Sequence, residues 1–299
     1  MTLRVLVVAL LAATAAASVA AQGVSEEYAR ERTRARFERP YGLGIEWDAF
    51  AHAPFFEQMH KVRAEGRPGD RVGYNRDMNA LPLGVFLDTE LRLRFSWHDS
   101  IEAGYGFAVL RAFDDRLDET SRFNGVVYPK GTDADYGADW HEFRLLYRRD
   151  LFRLGLDGNF TMYGKVGLEW SMLKVQFGSD TYAVEQDRDE ERLRELLPWW
   201  NAGLGFELNI GHDWRITAEG RGTYEVGVPT FQKRDGESFK QSIISLTGEA
   251  ALEYRVTDWF ALILRGKYRY FRAKLYGGYR ADSFLWWSAG PEFGIGLRF

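Results

Sequence analysis

The sequence has 299 residues, no cysteine and a net charge of −4, so neither a disulfide scaffold nor a basic nucleic-acid-binding surface is expected. Aromatic residues make up 15% of the chain, yet its mean hydropathy is only −0.35. Beyond residues 1–21 no run of about 18 apolar residues occurs, which excludes a helical membrane protein. Strands whose two faces alternate between apolar and polar residues fit both observations.

Residues 1–21 have the layout of a secretory signal peptide. Arg4 supplies the positive charge, an apolar core extends from Val5 to about Leu11, and small residues precede Gln22. We expect cleavage after Ala21, because the apolar core is short for a membrane anchor of about 20 residues. Residues 22–40 mix Glu and Arg without a sustained apolar stripe and predict a periplasmic segment. The folded domain is expected to comprise residues 41–299.

Ten segments of this domain carry apolar residues at alternate positions, which is the period of a β-strand. They begin near residues 41, 85, 101, 143, 162, 200, 214, 244, 260 and 285, and short turns alternate with long polar connections such as 114–139 and 178–198. The fourth segment is weak, so eight or twelve strands remain alternatives. Residues 184–198 predict a helix that ends at Pro198 within a long connection.

Charged residues occupy the other face of the same strands. They include Asp88, Glu90, Arg92, Arg94, Arg144, Lys165, Glu169, Glu219, Arg221, Glu249, Glu253, Arg265, Lys267, Arg269 and Glu292. In a soluble sandwich these residues would face water and the apolar residues would fill a core. In a membrane barrel the apolar residues face lipid and the charges lie inside. Periodicity alone does not separate the two arrangements.

Three features favour the membrane barrel. Trp and Tyr lie near predicted strand ends, short and long connections alternate, and the last strand carries Phe293, Ile295, Leu297 and Phe299 on one face. This ending resembles the C-terminal assembly signal of bacterial outer-membrane β-barrel proteins, although it identifies no subfamily.

The resemblance implies an all-β, antiparallel up-and-down transmembrane barrel of about ten strands in the outer membrane of a Gram-negative cell. It also implies folding by the barrel-assembly machinery and contact with membrane lipid and lipopolysaccharide. A monomer is the default expectation.

The interior of a barrel of about this size is nearly filled by side chains. Acidic and basic residues nearly balance on the predicted inner face. We therefore predict a network of paired charges that supports the barrel from within, which is a structural role. The alternative is a narrow, porin-like channel for small solutes, in which Arg265, Lys267 and Arg269 form a basic ladder that attracts anions.

A surface enzyme and a secreted soluble β protein are the remaining alternatives. Asp139 and His141 resemble the Asp-x-His pair of the ten-stranded omptin proteases, but His141 has the parity of Phe143 and is expected to face outward. Residues 98–100 resemble the His-x-Ser of lipid A deacylase barrels, yet they fall in a predicted periplasmic turn. The five histidines are scattered without a metal-ligand spacing, and no metal or other cofactor is predicted.

Overall fold

The computed structural model describes residues 44–52, 55–63, 71–73, 84–96, 98–117, 119–123, 126–154, 159–178, 191–196, 198–211, 213–234, 237–277 and 280–299. The predicted signal peptide (1–21) and periplasmic segment (22–40) lie outside these residues. Strands account for almost all of the described chain. No helix in this part is long and apolar enough to cross a membrane.

The strands of the described residues are numbered in chain order. They are β1 (Gly44–His52), β2 (Phe55–Arg63), β3 (Arg71–Gly73), β4 (Gly84–Arg94), β5 (Asp99–Arg116), β6 (Ser121–Phe123), β7 (Val126–Tyr128), β8 (Asp133–Leu154), β9 (Phe160–Gly178), β10 (Glu191–Glu195), β11 (Trp199–Ile210), β12 (Trp214–Arg234), β13 (Glu237–Arg255), β14 (Phe260–Gly277) and β15 (Arg280–Arg298).

Ten of these strands close an antiparallel barrel, which confirms the predicted fold class and strand number. The order around the wall is β1-β4-β5-β8-β9-β11-β12-β13-β14-β15, and β15 pairs back onto β1. At this closure Glu46 lies opposite Arg298 and Ala51 lies opposite Phe293. Every ring strand is therefore hydrogen-bonded on both sides.

Three further strands, β2, β3 and β10, extend the wall beyond the ring, and β3 pairs with β2. β2 pairs with β15 in the register already set by β1, after a gap at residues 53–54 that contains Pro54. β10 pairs with β9 just beyond the β9–β11 pairing, shifted by one residue at the segment that contains Pro198.

The helix predicted over 184–198 is wrong for residues 191–195, which form β10. Residues 184–190 of that prediction lie outside the described residues. Backbone groups of β9 from Met172 to Gln176 need partners, and satisfying them outweighs a weak helix propensity.

The two ends of the barrel differ in their connections. Ring strands are joined by short turns at one end, where Phe95 N–H bonds to Asp99 O at 3.2 Å and Val256 N–H bonds to Phe260 O at 3.0 Å. The backbone groups of Ile45 and Phe299 pair at this same end. Long connections, including the β6–β7 hairpin, lie at the opposite end. We call these the turn end and the loop end.

Most ring strands are longer than a bilayer requires. A tilted membrane strand needs about 9–11 residues, whereas β8 has 22 and β9 has 19. β8 contains the segment that was predicted to be the weakest strand, and it includes residues 133–139 that were predicted to lie in a long connection. The strands therefore continue past any membrane toward the loop end.

Candidate functional site

The two faces of the barrel wall have opposite chemistry. Large apolar side chains are exposed on the outside, among them Val85, Leu87, Ile101, Leu145, Val166, Leu204, Leu246, Leu262, Leu264, Phe293 and Ile295. Charged side chains point inward, and Glu292, Glu169 and Arg265 are only 0%, 1% and 2% exposed. A soluble protein has the reverse arrangement, because water solvates charge and disfavours apolar surface. We call the exposed apolar surface the apolar belt.

The belt has the height of a membrane. On β14 its outward residues extend from Phe260 to Tyr270, which is about 34 Å along the strand and about 25 Å along the barrel axis at a tilt of about 40°. Aromatic side chains mark both edges. At the turn end the Trp214 and Tyr254 rings lie 4.7 Å apart, and nearer the loop end Phe143 stacks on Trp170 at 5.2 Å.

The charged side chains inside the belt form several groups of ion pairs, which together we call the charge network. The lumen residues predicted from the sequence all have the inward parity of their strands, and all of them except Arg94 form ion pairs in this network, namely Asp88, Glu90, Arg92, Arg144, Lys165, Glu169, Glu219, Arg221, Glu249, Glu253, Arg265, Lys267, Arg269 and Glu292. Most of them contact an opposite charge on a strand that is not their neighbour, so the contacts cross the lumen.

The middle of the charge network centres on Asp88. Its carboxylate is 2.5 Å from Arg144 of β8 and 2.9 Å from Arg265 of β14, and it also contacts Lys267. Glu90 lies 2.8 Å from Arg265 and 3.3 Å from Arg144. Since β4, β8 and β14 are separated around the wall, these ion pairs brace three sides of the barrel against one another.

A second group of ion pairs lies nearer the turn end. Arg215 of β12 contacts Glu46 of β1 at 3.0 Å, across the barrel, and also pairs with Glu253. Arg298 of β15 lies 2.7 Å from Glu253 and 2.5 Å from Asp48. The strand that closes the barrel is therefore joined through side chains as well as through its backbone.

The third group lies on the side of the wall formed by β5, β9 and β12. Lys165 is 2.7 Å from Glu102 and also pairs with Glu219, and Arg221 is 3.3 Å from Glu169. These residues are buried. Burial of charge is tolerated here because each group has an ionic partner.

One glycine makes room for a crossing side chain. A Cβ atom at Gly104 would lie 2.6 Å from Nε of Arg144. The absence of a side chain at this position lets the guanidinium group pass over the wall of β5 toward Asp88. The charge network therefore depends on a small residue as well as on charged ones.

Aromatic side chains close the interior on the loop-end side of the charge network. This aromatic cap consists of Phe86, Trp140, Trp199, Phe271, Phe284 and Trp286, all buried in one apolar cluster. The Trp140 and Trp286 ring centroids lie 3.7 Å apart, and Phe271 packs on Trp140 at 5.0 Å. Arg269, whose guanidinium carbon lies 4.5 Å from the Trp140 ring centre and which pairs with Glu142, joins the cap to the charges below.

A small cavity remains where the charge network meets the aromatic cap. Its volume is about 30 Å³, and Asp88, Arg144, Lys267, Trp140 and Trp286 are among the residues that line it. A cavity of this size holds about two water molecules. The described interior thus contains polar space for water at this level.

At the level where the aromatic cap begins, the polar and apolar faces of the wall change places. On β14 the inward residues Phe271, Ala273 and Leu275 are buried, while Arg272 and Lys274 point outward. Below this level the same strand has Leu262 and Leu264 outside and charges inside. Water on the outside explains the pattern on the loop-end side, and lipid explains the pattern on the turn-end side. The exchange of faces therefore marks the loop-end edge of the apolar belt. We call the outward polar residues just beyond it the polar collar.

The predicted assembly-signal residues lie on the outside of β15. Phe293 and Phe299 are each 68% exposed, Ile295 is 42% exposed and Leu297 is half-buried. Their strand pairs with both β14 and β1. They are part of the apolar belt at the closure of the barrel.

The weak catalytic candidates lie on the outer surface. Asp139 pairs with Arg111 at 2.6 Å, and Nδ1 of His141 lies 2.8 Å from the hydroxyl of Tyr105. The His141 ring also packs on Phe107 at 4.7 Å. Both candidates face away from the lumen at the edge of the belt.

Two parts of the interior were missed from the sequence. The aromatic cap was not predicted, although Trp286 and Phe284 have the parity of Glu292, which is the signal that places them inside. Tyr163 was also missed; its hydroxyl donates to Glu219 at 3.1 Å, and the Arg148 guanidinium carbon lies 3.6 Å from its ring centre. Its parity with Lys165 indicates the inward face.

No protein-family model and no curated protein matches this chain. Among solved structures, the outer membrane protease OmpT of Escherichia coli is similar with a TM-score of 0.49 and 10% identity, over 87% of this chain and 99% of that one. The transport unit of the E. coli autotransporter AIDA-I gives 0.36 and 11%, over 91% and 97%. A major outer membrane protein of Thermus thermophilus gives 0.33 and 10%, over 85% and 99%.

At these identities and scores the likeness concerns barrel architecture only. The class of protein is defined by the chain's own geometry, in which a closed antiparallel wall carries exposed apolar residues outside and paired charges inside. That class is the membrane-spanning β-barrel.

Proposed function

We propose that this protein is an outer-membrane β-barrel with a closed lumen, and that its role is structural rather than that of an open channel. The observation that carries the proposal is the set of ion pairs across the lumen, in which Asp88 joins Arg144 and Arg265 at 2.5 and 2.9 Å. The aromatic cap seals the same lumen toward the loop end. An ion that entered would have to separate paired, buried charges, which is strongly unfavourable.

The basic ladder of a small-solute channel has little support in this geometry. Arg265 faces Glu90 and Glu292, Lys267 faces Asp88, and Arg269 faces Glu142. Each cation of the ladder is thus neutralised locally, which leaves no row of free positive charge for anions. A surface enzyme is not favoured, because Asp139 and His141 point outward. A soluble β protein is opposed by the exposed apolar belt.

We extend the proposal to export and assembly. Residues 1–21 act as a cleaved signal peptide, residues 22–40 lie in the periplasm, and the turn end faces the periplasm. The barrel-assembly machinery reads the outward residues Phe293, Ile295, Leu297 and Phe299 of the last strand. The protein functions as a monomer whose belt contacts lipid and lipopolysaccharide.

The test is conductance in planar bilayers. The wild-type protein should show no steady conductance, because its lumen is occupied. A variant with Asp88→Ala, Arg144→Ala and Arg265→Ala removes the central ion pairs and leaves Glu90 and Lys267 without their partners. Once heat-modifiable mobility has shown that this variant is folded, it should admit ions. Large conductance from the wild type would overturn the closed lumen. Recovery of the wild type from the soluble periplasm would overturn the membrane location.

A further inference from the structure

The polar collar is not uniform around the barrel. On β13 and β14 it presents three cations, Lys240, Arg272 and Lys274, on the outer surface just beyond the apolar belt. Arg272 and Lys274 are two residues apart on one strand face, about 7 Å. Lys240 is the diagonal neighbour of Lys274 across the strand pair, at about 7–8 Å. The three form a compact basic patch, which we call the β13–β14 patch.

Three cations elsewhere on the outer surface have acidic partners. Arg111 lies 2.6 Å from Asp139, Arg116 lies 3.2 Å from Asp133, and Arg149 at the turn end lies 3.7 Å from Asp99. Within the described residues, none of the three cations of the β13–β14 patch forms an ion pair. Their outward neighbours across the strands are Pro229, Ser242, Tyr276, Ser283, Ile244 and Leu285.

Hydroxyl groups lie between the cations. Ser242 is directly opposite Lys274, and its Oγ is 3.4 Å from the hydroxyl of Tyr276, the residue opposite Lys240. Ser283 is opposite Lys274 on the other side. A phosphate group suits this set of donors, because it accepts hydrogen bonds from hydroxyls and carries charge for Lys and Arg.

The surface directly below the patch is apolar. On the turn-end side of the patch lie Tyr270 of β14, Leu285 and Trp287 of β15, and Ile244 and Leu246 of β13. A ligand that satisfied both surfaces would carry phosphate at its head and hydrocarbon below. This combination belongs to a membrane lipid rather than to a soluble phosphate ester.

We propose that Lys240, Arg272 and Lys274 bind the phosphate groups of a lipid in the outer leaflet, whose acyl chains lie against the belt of β13–β15. In an outer membrane this chemistry is the phosphorylated saccharide head of lipopolysaccharide. The inference rests on the proposed membrane location, and it adds a defined lipid site on one side of the barrel. The cations supply charge, and Ser242 and Tyr276 supply hydroxyl groups.

Native mass spectrometry of the purified, folded protein tests this site. Three probes are titrated: lipid A that carries its phosphates, lipid A from which they have been removed, and inorganic phosphate alone. The wild type should retain the phosphorylated lipid. A variant with Lys240→Gln, Arg272→Gln and Lys274→Gln should bind it at least about 10-fold more weakly, since each surface cation contributes to anionic-lipid affinity.

Arg149→Gln combined with Lys130→Gln is the matched control. Arg116→Gln is added to this control, so that it removes three exposed cations away from the patch, and it should leave lipid A binding unchanged. Heat-modifiable mobility checks that every variant is folded; if the triple variant does not fold, Arg272→Gln and Lys274→Gln are tested singly and each should weaken binding.

Three results would overturn the inference. Equal binding by the wild type and the folded patch variants would show that the patch is not the site. Equal retention of dephosphorylated lipid A would remove phosphate as the recognised group. Saturable binding of inorganic phosphate alone, as tight as that of the lipid, would make this a site for free phosphate. All three leave the membrane location intact, because fractionation tests that location separately.

Discussion

The interior of the barrel has two regions that are filled by different kinds of side chain. Near the turn end the lumen is filled by charges such as Asp88 and Arg265, while the wall outside them is apolar. Near the loop end the lumen is filled by Trp140, Trp286 and other rings, while the wall outside them carries charge.

Polar and apolar residues alternate with a period of two in both regions, so the strand pattern is continuous. The two regions differ in which of the two sets faces inward. The solvent outside the wall decides which set of side chains faces in. Lipid surrounds the lower region, and water surrounds the upper one. Substitutions that keep or reverse the polarity expected on each face should therefore change the stability of the two regions by different amounts.

Breaking the charge network should have the largest effect. Arg265→Leu leaves Asp88, Glu90 and Glu292 without one of their cations in a buried setting. We expect a loss of about 3 to 5 kcal/mol in the free energy of unfolding, measured by urea titration of the protein in lipid vesicles. Arg94→Leu is the control, because Arg94 has no ion pair among the described residues. Equal losses from both variants would show that ion pairing is not what stabilises the interior.

Removing a ring from the aromatic cap should cost nearly as much. Trp286→Ala leaves a cavity in a cluster where this side chain is 3% exposed, and a loss of about 3 to 5 kcal/mol is expected in the same titration. Trp287→Ala removes the same side chain from the adjacent, outward position and should cost clearly less. If the order of the two losses were reversed, the face assignment at the level of the cap would be wrong.

The destabilisation caused by a cation on the outer surface should depend on whether its position lies within or beyond the apolar belt. Leu264→Arg puts charge near the middle of the apolar belt and should destabilise the barrel by about 2 to 4 kcal/mol. Ser283→Arg puts the same charge on the outer surface beyond the belt, beside Lys274, and should cost about 0 to 1 kcal/mol. Similar costs at the two positions would mean that the exchange of faces does not coincide with the membrane boundary.

The smallest effect on stability is expected at Phe299. Its side chain is 68% exposed, so Phe299→Ala should change the free energy of unfolding by less than about 1 kcal/mol. The amount of folded, heat-modifiable protein in the outer-membrane fraction should nevertheless fall, because the aromatic group is read during assembly. Val256→Ala, at an exposed apolar position in a turn at the same end, is the control. Unchanged recovery of Phe299→Ala would remove the recognition role.

The closed antiparallel barrel and its ten strands could be predicted from the sequence, because alternation and turn spacing are local signals. The inward position of Asp88, Arg144 and Arg265 follows from parity once the outside is taken to be lipid. The ion-pair partners of these residues do not follow from parity, since pairing across the lumen depends on strand tilt and register around the whole ring. The predicted charges were therefore identified without the ion pairs that they form.

The upper region was harder to predict for a different reason. Residues 133–139 read as a polar connection because their outward side chains are polar, although Ala134, Ala138 and Trp140 fill the interior. A rule that expects apolar residues outside fails where the strand leaves the membrane. The segment 191–195 was predicted to be helical for its Glu, Arg and Leu content, and its pairing with β9 is a contact that local propensity does not contain.

The closure between β1 and β15 has a consequence for how the barrel forms. Hydrogen-bonded partners such as Glu46 and Arg298 lie at opposite ends of the domain sequence, and contacts of such long sequence separation form slowly. Until they form, both terminal strands present unpaired backbone groups, which are templates for pairing with other chains. The moment of greatest risk of aggregation therefore falls just before the last strand meets the first, when a chaperone or a membrane template has most to protect.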